Sequence, residues 1–138
     1  MDREQIRQIL APYFASRLNV RMAFLFGSVE RGVASIESDV DVAVYLEEEG
    51  AEGTLWTDIE RLVGYEVDLV VLNRAPALIA WSAIRGTPLL IRDRGFFLDY
   101  FLEISEEAES LAEFNLDFWK LRDRARAAQR IDTGVGIQ

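Results

Sequence analysis

The stretch DVDVAVYL at residues 39–46 constrains the chain more than any other. Acid and valine alternate, and the run then continues apolar and β-branched, which is strand periodicity. On a strand, Asp39 and Asp41 share one face while Val40, Val42 and Val44 point to the other. The two acids then lie about 6.6 Å apart along the chain, at about 3.3 Å per residue. Carboxylates at that spacing repel each other, and aspartate is a poor strand former. A divalent cation between them removes the repulsion, at about 2.0–2.1 Å from each oxygen if it is Mg²⁺. The valine face would hold the strand in a core while the acid face holds the metal.

A third acid, Asp68, stands in the apolar run EVDLVVLN at residues 66–73. A charge inside such a strand needs a partner to offset its desolvation. If this strand neighbours the first, Asp39, Asp41 and Asp68 come together. Three carboxylates can bind two metal ions, which stabilise the attacking and leaving oxygens of an in-line displacement. The chain contains no histidine and no cysteine. Ser-His-Asp catalysis, zinc hydrolysis on histidine ligands, thiolate metal sites and disulfides are therefore excluded. Asp68 becomes the best candidate to accept the proton of an attacking hydroxyl.

Gly27-Ser28 follows the short apolar run RMAFLF at residues 21–26. That run reads as a buried strand, although periodicity alone does not separate it from a helical turn. Glycine lets the backbone approach a phosphate closely, and the amides of a turn or helix start form an anion site. The Ser28 hydroxyl adds a hydrogen bond, and Arg31 is close enough in sequence to help neutralise a polyphosphate. Residues 29–36 form a loop or a single helical turn. Each feature alone is common in structural roles; the order turn, paired acids, third acid, with strands between, is what points to phosphoryl-group chemistry.

The remaining elements support this site. Ile6, Ile9, Leu10, Tyr13, Phe14 and Leu18 recur at helical spacing, with Asp2 and Gln5 as a capping box and Pro12 as a source of a kink or break. A helix over residues 54–62, capped by Thr54, ends at Gly64. Pro76 opens a helix to about residue 85, and Gly86 stops it. Residues 89–91 form a short edge strand. From residue 96 to about 129, Phe97, Phe101, Ile104, Ala108, Leu111, Phe114, Phe118 and Leu121 follow one helix face, with a break near Ser105 or Asn115 left open. Trp81 and Trp119 fall on helices as core or interface anchors. The expected architecture is a single α/β (α+β) domain spanning residues 1–138 with a small mixed sheet flanked by helices. Its catalytic core covers about residues 20–92 and a long C-terminal helical segment about residues 96–130.

The formal net charge is −9. This argues against a general nucleic-acid binder, which needs a basic footprint, and the late cluster of Lys120, Arg122, Arg124, Arg126 and Arg130 reads as a solvated helix end; a small substrate held by metal, or a basic protein partner, suits this charge. The N-terminus MDREQIRQIL lacks the apolar segment of a signal peptide, and no run is long enough for a membrane span, so a soluble, cytoplasmic protein is expected.

Taken together, Gly27-Ser28, Arg31-Gly32, Ser38-Asp39-Val40-Asp41 and Val67-Asp68-Leu69-Val70 resemble the signature of the DNA polymerase β-like nucleotidyltransferases. Within them the pattern is most similar to the minimal nucleotidyltransferase (MNT) domains, the MntA-type antitoxins, and extends to about residue 92. The resemblance implies two Mg²⁺ ions on Asp39, Asp41 and Asp68, and an ATP triphosphate held at Gly27 and Ser28, with Arg31 and Ser38 from the same motif alongside. It implies transfer of AMP to a tyrosine hydroxyl of a HEPN-domain ribonuclease toxin, which silences the toxin, with release of pyrophosphate. Many members have alanine before Arg-Gly, where this chain has Glu30; the glutamate places negative charge near the phosphate site. Two other functions suit the same residues: an antitoxin that neutralises by binding with its site idle, and a small-molecule nucleotidyltransferase acting on an aminoglycoside-like hydroxyl compound.

Overall fold

The computed structural model describes residues 2–27 and 40–111. Helix α1 (Arg3–Ala15) leads into strands β1 (Val20–Phe26) and β2 (Val40–Leu46). Helix α2 (Glu52–Val63), strand β3 (Val67–Val71), a 3₁₀ turn at Leu72–Arg74, helix α3 (Ala77–Ile84), strand β4 (Thr87–Ile91) and helix α4 (Arg94–Ser110) follow. The four strands form one mixed sheet in the order β3-β2-β1-β4. β1 runs antiparallel to β2 and to β4, whereas β2 and β3 are parallel. The parallel pair requires a crossover, and α2 is that crossover.

The alternation in β2 sorts the core into two layers. Val40, Val42, Val44 and Leu46 pack with Ile6, Leu10 and Phe14 of α1 and with Leu55, Ile59 and Val63 of α2. Ala43 lies on the other face with Met22, Phe24 and Phe26 of β1, Ala80 and Ala83 of α3, and Ile104 of α4; Tyr45 packs against the same cluster. Burying a side chain such as Leu10 or Phe24 contributes about 1.5–3 kcal/mol each, so both faces of the sheet are firmly held.

Helix α1 begins as expected: the Asp2 carboxylate accepts from Gln5 N, and the Gln5 side chain accepts from Asp2 N, each at 2.9 Å. Pro12 lies inside this helix without ending it. Its ring removes one hydrogen bond in the last turn, where the carbonyl left over belongs to the exposed Gln8 and can be solvated. The start of α2 departs from expectation: it begins at Glu52, with Ala51 at the cap position, so Thr54 sits inside the helix. Its end at Gly64 agrees with the sequence, with φ of 75°. β4 is an edge strand, as expected. α4 starts at Arg94, where the Asp93 side chain accepts from Phe96 N at 3.0 Å, and ends at Ser110. The expected continuation of this helix to about residue 129, Trp119 included, lies outside the described residues. No helix among the described residues is long and apolar enough to cross a membrane.

Candidate active site

Three strand ends converge on one point. β1 ends at Phe26, and Gly27 follows with φ of 84°, a left-handed conformation in which glycine avoids a Cβ clash. Phe26 is the register partner of Asp41 in the antiparallel β1–β2 pair. Asp41 is in turn the register partner of Asp68 in the parallel β2–β3 pair. Adjacent strands lie about 4.8 Å apart, so the two carboxylates stand side by side, one residue across from the strand end that carries Gly27. Asp41 is 1% exposed and Asp68 is half-buried.

Face assignment follows from the core. With Val40 and Val42 packed towards α1 and α2, Asp41 takes the opposite face with Ala43. Asp68 likewise alternates with Val67 and Leu69, which pack in the α1–α2 layer. The expected neighbour relation between the strands carrying Asp41 and Asp68 is therefore present. Ser28, Arg31, Ser38 and Asp39 lie outside the described residues, as does Glu30.

These residues suit a hard divalent cation. The donors are carboxylates on adjacent rigid strands, with no histidine or cysteine in the chain to favour a softer metal. The Oδ2 atom of Asp68 is buried and receives no hydrogen bond among the described residues, while the residue itself is engaged in other interactions. Among the described residues no cluster of three acids forms; Asp41 and Asp68 are two of the three expected, and Asp39 is the third.

Two supports of this site have roles that the local sequence does not reveal, although Gly86 reads there as a helix stop. The Trp56 indole Nε1 donates to the Val67 carbonyl at 2.6 Å, and Val67 N donates to the Glu60 carboxylate at 3.0 Å. Trp56 and Glu60 read as ordinary positions on an amphipathic helix until the crossover brings β3 beneath them. Gly86 is the second support. A Cβ there would come within 2.3 Å of the Leu25 carbonyl oxygen and 3.0 Å of the Phe26 Cβ. The absence of a side chain lets the α3–β4 corner close on the end of β1.

A cavity of about 470 Å³ lies between β2, the 3₁₀ turn and α4, lined in part by Tyr45, Tyr100, Asp99, Glu103 and Glu107. Burial, with Tyr45, Glu103 and Glu107 nearby, raises the Tyr100 phenol above its ordinary value. Three carboxylates make this space unsuited to a triphosphate.

The mixed sheet sets paired acids on adjacent parallel strands beside Gly27, a donor set that could hold a hard divalent cation. Residues 4–95 match the family model described as polymerase beta, nucleotidyltransferase, and the chain belongs to that family of nucleotidyltransferases. Among solved structures, a toxin–antitoxin complex with AMP-PNP contains a chain 19% identical, with a TM-score of 0.66, covering 84% of this chain and 98% of that one. A complex from Shewanella oneidensis, in which a tri-AMPylated HEPN toxin is bound to an MNT antitoxin, matches at 19% identity and a TM-score of 0.59, over 84% and 98% of the two chains. The structure of a minimal nucleotidyltransferase is 29% identical, with a TM-score of 0.52, over 63% of this chain and 94% of that one. No curated protein gives a significant match.

Proposed function

We propose that this chain is a Mg²⁺-dependent adenylyltransferase antitoxin that transfers AMP from ATP to a tyrosine hydroxyl of a HEPN ribonuclease toxin in the cytoplasm. The observation that carries this reading is the in-register pairing of Asp41 with Asp68 beside Gly27 at the end of β1. The solved complexes with AMP-PNP and with an AMPylated HEPN toxin support the choice of nucleotide and partner.

In this reading Asp39, Asp41 and Asp68 hold two Mg²⁺ ions, which supply charge neutralisation at the triphosphate. Gly27 and Ser28 offer turn amides and a hydroxyl to the phosphates, with Arg31 and Ser38 alongside. The acceptor hydroxyl oxygen bonds to the α-phosphorus as the bond to the β-phosphate oxygen breaks, and pyrophosphate leaves. Asp68 takes the hydroxyl proton. The rigid strands on which Asp41 and Asp68 stand keep the carboxylates oriented before substrate arrives. The net charge of −9 favours encounter with a basic protein partner over nucleic acid.

The test is the intact mass of the protein encoded by the neighbouring gene after incubation with this chain, ATP and Mg²⁺. The expected result is a gain of one or more AMP units, absent when Asp39→Asn and Asp41→Asn are both present. A stable, silent complex with no gain in mass would replace this reading with neutralisation by binding alone.

A further inference from the structure

Among the described residues β3 is an edge strand, with β2 on one side of it and no strand on the other. On the β2 side, Val40 N donates to the Glu66 carbonyl at 3.1 Å, and the ladder continues through Asp41 and Asp68. Along a strand, successive residues turn their backbone groups to alternate sides, so Val67 presents its N–H and its carbonyl to the outer edge. α2 takes both. Glu60 accepts from Val67 N at 3.0 Å and Trp56 donates to Val67 O at 2.6 Å.

The two side chains are one helical turn apart, on a helix fixed to the core by Leu55, Ile59 and Val63. They take the place of a second ladder at a single residue, on the two peptide groups that flank Val67, and the next residue is Asp68. Backbone held from both sides is more restrained against local opening than edge backbone held from one side. The carboxylate that follows inherits that restraint.

We infer that Trp56 and Glu60 are positioning residues: they set the placement of the Asp68 carboxylate relative to Asp41, and so the cation-binding competence of the pair. The consequence for catalysis rests on the transferase reading given above; the consequence for cation binding does not.

The experiment uses the full chain as wild type, Glu60→Ala, Glu60→Gln and Trp56→Phe. Mn²⁺ binding is followed by electron paramagnetic resonance of the free ion, nucleotide transfer by intact mass across a Mg²⁺ series, and folding by thermal melts. Removing a group that orients a metal ligand commonly costs about 10–100-fold in metal affinity or activity. Glu60→Ala and Trp56→Phe are expected to weaken Mn²⁺ binding by about tenfold or more and to raise the Mg²⁺ needed for half-maximal transfer to match. Glu60→Gln keeps an acceptor oxygen for Val67 N and is expected to stay within about threefold of wild type.

Variants that melt earlier yet bind Mn²⁺ and respond to Mg²⁺ like wild type would overturn the inference, as would equal losses in Glu60→Ala and Glu60→Gln. A wild-type chain that binds Mn²⁺ but transfers nothing would strike the transferase reading alone, and the Mn²⁺ comparison would still decide the positioning role. A wild-type chain that binds no Mn²⁺ would overturn both.

Discussion

Asp41 and Asp68 are register partners on adjacent parallel strands, although a turn, a whole helix and a second turn separate them in sequence. Their adjacency follows from the β2–α2–β3 crossover, which lays β3 parallel beside β2.

Asp41→Asn is expected to abolish transfer and to remove the response of thermal stability to Mg²⁺. For wild type at about ten times the dissociation constant, mass action adds about 1.4 kcal/mol, a few degrees in melting temperature for a domain of this size. Melting curves with and without Mg²⁺ check this; a shift that survives in the variant would remove Asp41 from the ligand set.

Arg92 anchors α1. Its Nε donates to the Val20 carbonyl at 2.7 Å, and its Nη2 reaches the carbonyls of Phe14, Ala15 and Arg17 at 2.9, 3.2 and 2.9 Å. One guanidinium thus satisfies the carbonyls left over at the helix end. Arg92→Ala is expected to lower stability by about 1–2 kcal/mol in urea unfolding. Arg92→Lys should recover only part of it, because an ammonium lacks the planar fork. Transfer activity of the folded fraction should not change.

Burial, and then its hydrogen bond to Asp58, raise the Tyr13 phenol from 10.0 to about 12. Above pH 10 the unfolded chain releases this proton while the native chain keeps it. The contribution to stability is therefore complete below pH 10 and is lost as pH rises through about 12. Tyr100 is shifted in the same direction by its burial. Urea unfolding across this range should show a steeper decline for wild type than for Tyr13→Phe, and a shallower one still for Tyr13→Phe with Tyr100→Phe.

One chemical change should have opposite signs at two glycines. A Cβ at Gly53, in the first turn of α2, meets nothing within 4 Å, and Gly53→Ala is expected to stabilise by about 0.5 kcal/mol through the unfolded chain. At Gly86 the same methyl meets the Leu25 carbonyl, and Gly86→Ala is expected to cost about 1–3 kcal/mol. Equal effects in chemical denaturation would contradict the close approach at the end of β1.

The sheet and its acids could be read from the sequence because their signals are local. The Asp-Val alternation placed Val40, Val42 and Val44 on one face of β2, and they pack together as expected. The Asp2–Gln5 capping box is likewise a contact three residues long. Thr54 misled because a capping hydroxyl and a hydroxyl inside a helix look alike in sequence. Here the Glu52 carboxylate, bonded back to Gly50 N at 3.1 Å, already occupies the helix start. The roles of Trp56, Glu60 and Arg92, and the approach of Gly86 to β1 beyond its reading as a helix stop, could not be found that way, since each acts on backbone brought near only by the finished topology. Of the site itself, the described residues place Gly27, Asp41 and Asp68 together, while the roles of the motif at residues 28–39 rest on the experiments above.

The parallel pairing of β2 with β3 also orders events during folding. β1 pairs with β2 and β4 without bringing the two acids together, whereas Asp41 meets Asp68 only across the β2–α2–β3 crossover, whose closure costs loop entropy. The growing chain thus keeps its two negative charges apart until the core beneath α2 is in place to hold them. The pairing of the two acids therefore depends on the docking of a helix that contributes no acid to the pair.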